Sequence, residues 1–412
     1  PFDGSLFTWT NGRVWQRLDR ALMNRDWAEG YDLSHVSHLS RGRSDHAPLV
    51  ITANNGRKGK SSFKFLNVWQ RHSGFMEVVR QGWAMPVEGL GMPKFHNKLR
   101  AVKGCLQTWN VQVFGNVFNK VKEAEAVMKQ REEHFDKERD SVSRAELEEA
   151  KAAYARSLAV ECEYWRQKSG IKWLQVGDAN SAYFHSRCRQ RRSYNFVARI
   201  KEQSGAWLED IHDIRRSAVG FFSSLFASEQ HGFLPPALPF SLPQLTSADN
   251  DRLGALPGME ELKGVVFALD ADSAPGPDGF GAGFYQVCWD IIKSDLLEAV
   301  QAFFQGMRLP RCFTSTSIIL LPKVAGAGQW KDFRPISLCN VCSKIISELV
   351  SDRLATVLPT LISPWQTGFV PGRGITDNIL LTQELVVDLD RRLRHPNLML
   401  KLDMEKAYDR VE

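Results

Sequence analysis

Near its end the chain reads Leu398-Met399-Leu400-Lys401-Leu402-Asp403-Met404-Glu405-Lys406-Ala407-Tyr408-Asp409. The apolar run fits a short strand, and Asp403 stands where that strand would end and a helix begin. A carboxylate at a strand end is a good post for a divalent cation. Enzymes of phosphoryl and nucleotidyl transfer hold two Mg²⁺ ions about 3.5 to 4 Å apart on such carboxylates, one activating the attacking oxygen and one steadying the leaving group. One Asp cannot do this alone, and an Asp at a helix start serves equally well as an N-cap. The neighbours have to decide between ligand and cap.

Upstream of that strand, helices and strands alternate from about Met259. The pattern predicts helices over 260–269, 287–304, 341–358 and 376–393, with strands over 316–321 and 398–402. Before it, Pro235, Pro236, Pro239 and Pro243 are too many for a helix or a central strand, and 233–258 is read as a linker. The apolar face of Ala218, Phe221, Phe222, Leu225 and Phe226 predicts a buried helix just ahead of the prolines.

From 93 to 169 the spacing of Val121, Ala124, Val127, Met128 and Phe135 among Lys and Glu predicts two long helices forming a hairpin. Ser143-Arg144-Ala145-Glu146 fits a capping box at the start of the second. The charged faces suit a spacer arm. Residues 54–60 are polar and turn-rich, and 54–92 is read as a linker. Ahead of it, 5–10 and 47–52 suit short strands with a turn at Asn11-Gly12, the closing edge of a sheet.

Charge is unevenly placed. The excess of 53 basic over 47 acidic residues is modest, but Cys162 to Lys201 holds nine cations against Glu163 and Asp178. Tyr164, Trp165, Trp173, Tyr183, Phe184, Tyr194 and Phe196 are interleaved with them. That mixture suits phosphate binding with base stacking, and Arg187, Arg189, Arg191 and Arg192 are its candidate contacts. A solvated helix face is the bland alternative.

Composition excludes other classes. With 43% hydrophobic and 24% charged residues, 30 Gly and 18 Pro, the chain is neither collagen-like nor wholly disordered. No run approaches a membrane span, since Ser317 to Val324 is broken by Pro322 and Lys323. Seven scattered cysteines do not form a disulfide framework and point to a reducing compartment, while Cys339-Asn-Val-Cys342 lacks a second half-site for zinc. Starting at Pro1-Phe2-Asp3 without Met or a targeting segment, the chain is expected to begin within a longer protein.

Taken in order, the motifs resemble those of the reverse transcriptases of non-LTR (LINE-type) retrotransposons, most closely their plant members. Ser273-Ala274-Pro275-Gly276-Pro277-Asp278-Gly279-Phe280 is similar to the opening loop, and Thr316 to Lys323 to the first fingers strand. Asp332-Phe333-Arg334-Pro335-Ile336-Ser337-Leu338 resembles the second fingers block, Gln366 to Ile379 the segment before the palm, and Leu402 to Val411 the first palm motif. Residues 1–53 resemble the end of the apurinic-endonuclease-like domain of the same elements, through Phe7-Thr8-Trp9, Arg17-Leu18-Asp19-Arg20 and Ser44-Asp45-His46-Ala47-Pro48-Leu49. The middle, including Trp165-Arg166-Gln167-Lys168, resembles their intervening region.

The resemblance implies an α+β chain of several domains: an endonuclease sandwich edge over 1–53, a linker over 54–92, a basic helical connector over 93–232, a Pro-rich linker over 233–258, and fingers with the start of a palm over 259–412. It makes Asp403 the catalytic, metal-binding Asp, with Mg²⁺ as the cofactor. Lys323 and Arg334 would hold the incoming triphosphate, and the Tyr408 ring would exclude a ribose 2′-OH. Asp19, Asp45 and His46 would be catalytic in the nuclease, the Asp fixing the imidazole tautomer. Implied partners are an RNA template, target DNA and deoxynucleoside triphosphates, with no membrane, in the nucleus and cytoplasm. No Tyr-x-Asp-Asp occurs in the 412 residues, so the chain by itself is expected to be inactive. The alternative is a non-catalytic, nucleic-acid-binding remnant of a decayed element.

Overall fold

The computed structural model describes residues 2–24, 27, 30, 31, 33–54, 62–170, 181–202, 204–227, 243–324, 326–387, 389, 398–400 and 402. Two compact units divide the chain. One joins Pro1–Glu209 with Val266–Ser343, and the other joins Asp210–Val265 with Lys344–Glu412. The chain mixes helix and strand throughout, and no helix among the described residues is long and apolar enough to cross a membrane.

The first unit opens with strand β1 (Phe2–Gly4), the short ribbon β2 (Trp9–Thr10) and β3 (Trp15–Gln16), then β4 (Leu33–His38) and β5 (Leu49–Asn54). β1 runs parallel to β4, and β4 antiparallel to β5 from Leu33↔Asn54 to His38↔Leu49. The expected turn at Asn11-Gly12 joins β2 to β3: Gly12 takes φ +84°, and Asn11 Oδ1 accepts from Arg13 N and Val14 N. The described residues of this region form one three-stranded sheet and that ribbon, with no second sheet facing them.

Residues 62–84 are not a linker. Phe63, Phe65, Val68 and Trp69 are buried, and helix α1 (Phe75–Ala84) buries Phe75, Val79 and Trp83 against α2 (Gly91–Trp109). Three long helices follow residue 90, where two were expected. α2 gives way to a π-helical turn (Asn110–Phe114) that ends at Gly115, at φ +69°, and the arm is built by α3 (Val117–Glu138) and α4 (Ser141–Ser169). α4 starts two residues before the expected Ser143, because the Asp140 carboxylate accepts from Ser143 N at 2.7 Å and is the N-cap. An ionised carboxylate at a helix N-terminus outdoes a serine hydroxyl, since the helix dipole favours negative charge there.

α5 (Ser181–Tyr194) then packs on α4 and β4, and β6 (Ile200–Lys201) pairs with β7 (Trp207–Leu208). The second unit begins with α6 (Ile211–Leu225); of the face expected to be buried only Phe222 is, Ala218, Phe221 and Leu225 being half-buried and Phe226 exposed, and Ile214 is buried in addition. Most of the Pro-rich stretch lies outside the described residues. Its end is no linker, because Thr246 and Asp249 close a capping box on α7 (Ser247–Gly254). α8 (Met259–Ala268) follows.

Back in the first unit, α9 (Ala282–Val287) and α10 (Trp289–Phe304) complete the core. Phe280, Phe284, Tyr285, Ile292 and Leu296 meet Phe63, Phe65, Phe75, Phe95, Leu99 and Leu106, all nearly or wholly buried. Each fully buried Phe or Leu contributes about 1.5–3 kcal/mol relative to exposure. α11 (Arg311–Thr314) leads into a ribbon of β8 (Thr316–Pro322) and β9 (Phe333–Cys339), paired from Thr316↔Cys339 to Pro322↔Phe333. In the second unit, Arg353 of α12 (Val341–Leu361) binds both carboxylate oxygens of Glu261 at 2.7 and 2.8 Å. α13 (Ile375–Val387) is the last described element. The strand expected over 398–402 does not form among its described residues: no strand pairs with it, and Leu398 and Leu402 are 81% and 90% exposed.

Candidate functional site

The first candidate site is assembled around Thr8, which is fully buried. Its N–H donates to Gln16 O at 3.1 Å, its carbonyl accepts from Ala47 N at 2.7 Å, and its hydroxyl oxygen accepts from Asp19 N at 2.9 Å. One residue thus holds the 15–19 and 46–47 segments together, through its hydroxyl to Asp19 and its backbone to Gln16 and Ala47. Trp9 bridges His46 in antiparallel fashion, and the His46 ring Nδ1 lies 2.9 Å from Asp19 Oδ2. An ionised carboxylate can only accept, so this bond puts the proton on Nδ1 and leaves Nε2 basic. The hydrogen bond from His46, and then that from Thr8, hold the Asp19 carboxyl below the usual carboxylate range. Both side chains reach solvent, at 47% exposure for His46 and 34% for Asp19. Asp45 is drawn elsewhere: its Oδ2 accepts from the Trp9 indole N–H at 3.0 Å.

The second candidate site is at the tip of the β8–β9 ribbon. Arg334 sits opposite Leu321 and is exposed, and Lys323 lies just beyond the last pair, Pro322↔Phe333. The Lys323 N–H donates to Asp332 O at 2.8 Å and its ammonium to Lys331 O at 2.9 Å. Asp332 in turn accepts from Gly328 N and Gln329 N, which closes the loop between the strands. The two expected triphosphate ligands therefore share one end of one ribbon. Asp403 and Tyr408 lie outside the described residues.

The four arginines of α5 are not equivalent. Arg191 donates to Ser169 O at 2.8 Å and so caps the C-terminus of α4, where the helix dipole favours a cation. Arg187 donates to Gln190 Oε1 at 2.7 Å, while Arg189 and Arg192 are exposed. Part of the basic window is structural as well. Arg166 binds Glu163 and Asp272, and Gln167 bonds both Asn67 N and Phe65 O, tying α4 to the core beside the 273–280 loop.

Two residues that hold loops of the reverse-transcriptase-like blocks carry no advance signal. Asn340 is buried, accepts from Asp278 N at 3.1 Å and donates to Cys312 O at 2.7 Å, while Gly276 packs against it with no room for a side chain. Gly279, at φ +86°, crosses the Phe63 backbone where any Cβ would collide. In the second unit the Arg373 guanidinium donates to four carbonyls, those of Pro359, Ile362, Ser363 and Gln366, at 2.5 to 3.1 Å. Asn378 adds bonds to Trp365 O and Thr367 Oγ1. The loop between α12 and α13 is thereby fixed by two side chains. An arginine at this place in a sequence reads equally well as a surface charge.

Residues 321–412 match the family described as reverse transcriptase (RNA-dependent DNA polymerase). The chain is 30% identical over 274 residues to the transposon TX1 uncharacterized 149 kDa protein of Xenopus laevis, a match covering 62% of this chain and 21% of that protein. That match is too long to fit within residues 259–412, so it takes in part of the preceding helices. The chain is also 28% identical over 145 residues to the retrovirus-related Pol polyprotein from the type-2 retrotransposable element R2DM of Drosophila melanogaster, and 23% over 140 residues to one from the type-1 element R2 of Nasonia vitripennis. It spans 21% of the first of these proteins and 13% of each of the other two. Residues 321–412 therefore belong to the reverse transcriptase family, and the chain that carries them is a homologue of non-LTR retrotransposon polyproteins.

Proposed function

We propose that this chain is a segment of a polyprotein that nicks target DNA and copies RNA from the exposed 3′-OH, made in the cytoplasm and acting in the nucleus. The observation that carries the reading is the reverse transcriptase match over 321–412, preceded in family order by the 273–280 and 316–323 blocks. In that reaction Lys323 would meet the triphosphate as a point charge and Arg334 as a two-pronged fork. The Tyr408 ring would select deoxynucleotides by crowding a 2′-OH. Mg²⁺, when bound, would polarise the phosphoryl oxygens and stabilise the leaving group. Among the described residues no three His, Cys, Asp or Glu side chains converge to hold it, and Asp403 supplies one carboxylate where a two-ion site needs more.

Asp19 and His46 support a phosphodiesterase role for the first unit. With its Nδ1 proton held by Asp19, the His46 ring presents Nε2 to take a proton from an attacking water or to steady a phosphate oxygen. Asp45, held by Trp9, would keep the 44–46 turn in place for the ring.

Primer extension tests the polymerase reading. The 412 residues alone are expected to add no nucleotide to an RNA-templated primer, and the same chain extended through a paired-Asp block is expected to do so, with loss on Asp403→Asn. Extension by the 412 residues alone would overturn the need for a paired-Asp block, and extension by the extended Asp403→Asn variant would overturn the role given to Asp403.

A further inference from the structure

Cations on α2 fall into two groups. Lys94 and Lys98 face α10, where Lys94 meets Glu298 at 2.9 Å and Asp295 at 3.2 Å, and Lys98 meets Asp295 at 2.7 Å. These charges are neutralised within the fold, and Trp83 Nε1 adds a bond to Asp295 at 2.9 Å. His96, Arg100 and Lys103 are spaced four and three residues apart, which places them along one side of the helix. Among the described residues none of the three is within ion-pairing distance of a carboxylate. The Lys103 ammonium stands 5.2 Å over the Phe63 ring, and Lys64, the next residue in the chain, is exposed.

Like charges one turn apart on a helix cost a few tenths of a kcal/mol per pair, and neighbouring carboxylates are the usual remedy. Here the remedy is applied on the α10 side of the helix and withheld on the other. The half-buried His96 ring is held below the ordinary histidine range by its burial and then by the positive charges of Arg100 and Lys103. The same surface runs on toward the 273–280 loop, since Phe63 packs on Phe280 and its backbone lies against Gly279. From residue 96 to residue 103 the stripe covers about 10 Å of helix, long enough to meet successive phosphates of one strand.

We propose that the Arg100–Lys103 side of α2 is a binding surface for the phosphate backbone of single-stranded RNA. The proposal rests on the RNA-copying reading above and adds to it a surface outside the basic window of α5. Two phosphate contacts are expected, from Arg100 and Lys103.

The test is fluorescence anisotropy of the full 412-residue chain with a short labelled single-stranded RNA, across about 50 to 200 mM salt. Arg100→Gln/Lys103→Gln is expected to bind roughly ten-fold more weakly near physiological salt, with a salt slope smaller by about 1.4, the value for two released counterions on a single strand. Arg100→Lys/Lys103→Arg keeps both charges and is expected to bind as the wild type does. Lys137→Gln/Arg144→Gln, which removes the same charge from the arm, is the control and is expected to bind unchanged. If the Gln pair on α2 behaves like the Gln pair on the arm, the surface is overturned while the RNA-copying reading stands. Loss that follows duplex DNA instead of RNA overturns the choice of RNA. A wild-type chain that binds no RNA at the lowest salt overturns both this surface and an RNA-handling role for the chain.

Discussion

Asp19 and His46, 27 residues apart in the chain, are joined by a 2.9 Å bond from ring nitrogen to carboxylate. The bond survives at a solvent-facing site because Thr8 organises both segments from beneath. Its pH behaviour follows. The folded state binds the Asp19 proton more weakly than the unfolded chain does. Whatever stability the bond supplies is therefore complete above the ordinary carboxylate range and is lost as pH falls through Asp19's own midpoint. A carboxyl-carbon NMR titration is expected to place that midpoint below the range of exposed carboxyls. In His46→Ala it should rise, because the largest cause of the shift is gone; an unmoved midpoint would show that the pair does not exist in solution.

Phe95 of α2 is fully buried against Trp83 and Tyr285, and so belongs to a core shared by residues 62–109 and 280–304. Phe95→Ala is expected to cost about 3–5 kcal/mol. Chemical denaturation should show residues 62–109 and 280–304 unfolding in the same transition. Separate transitions for the two segments would contradict the shared core.

Asn340 carries the 273–280 loop on one buried amide. In Asn340→Ala, Asp278 N and Cys312 O each lose a partner, at about 2 kcal/mol in all, enough to lower the melting temperature by roughly 4–8 °C in a unit of this size. Asn340→Asp should be no better, because a carboxylate cannot donate to Cys312 O. Thermal melts followed by circular dichroism would settle both.

Arg373→Lys keeps the charge and is expected to loosen the loop between α12 and α13. A lysine cannot reach four carbonyls with a planar fork. A loss of about 1–2 kcal/mol should appear as faster amide exchange over residues 363–374, with α12 itself unchanged. Exchange at wild-type rates in that loop would show that the arginine is not what fixes it.

Much of the second half was legible from local pattern. The first ribbon strand at 316–322 and the helices at 341–361 and 375–387 follow from apolar runs and periodicity that involve only near neighbours, whereas the second ribbon strand at 333–339 was not read from its pattern. The Asp19–His46 pair was legible because two short motifs named both residues. Phe63, Phe65, Trp69 and Phe75 were not legible as core. Phe63 and Phe65, on which Trp69 and Phe75 pack, meet Phe280 and Phe284 from far later in the chain, and the polar run just before them reads as a boundary. Asp140 displaced Ser143 as a cap because charge, which a hydroxyl motif does not score, decides the helix start. Arg191 gave no sign that it would bind the end of α4, since the spacing between Ser169 and Arg191 spans residues whose path the sequence does not reveal. The strand expected at 398–402 fails for another reason: a strand's own residues cannot supply its partner.

The bond between Trp83 and Asp295 spans 212 residues, and the core around it is built from segments equally far apart. On the ribosome, at about 5–20 residues per second, α1 and α2 would emerge roughly 10–40 s before α10 arrives to cover them. For that interval Phe75, Phe95, Leu99 and Leu106 have no permanent neighbours on one side. The nascent chain is then at its most vulnerable to aggregation, and a holding chaperone acting on the stretch around 62–109 is where its folding yield would be decided.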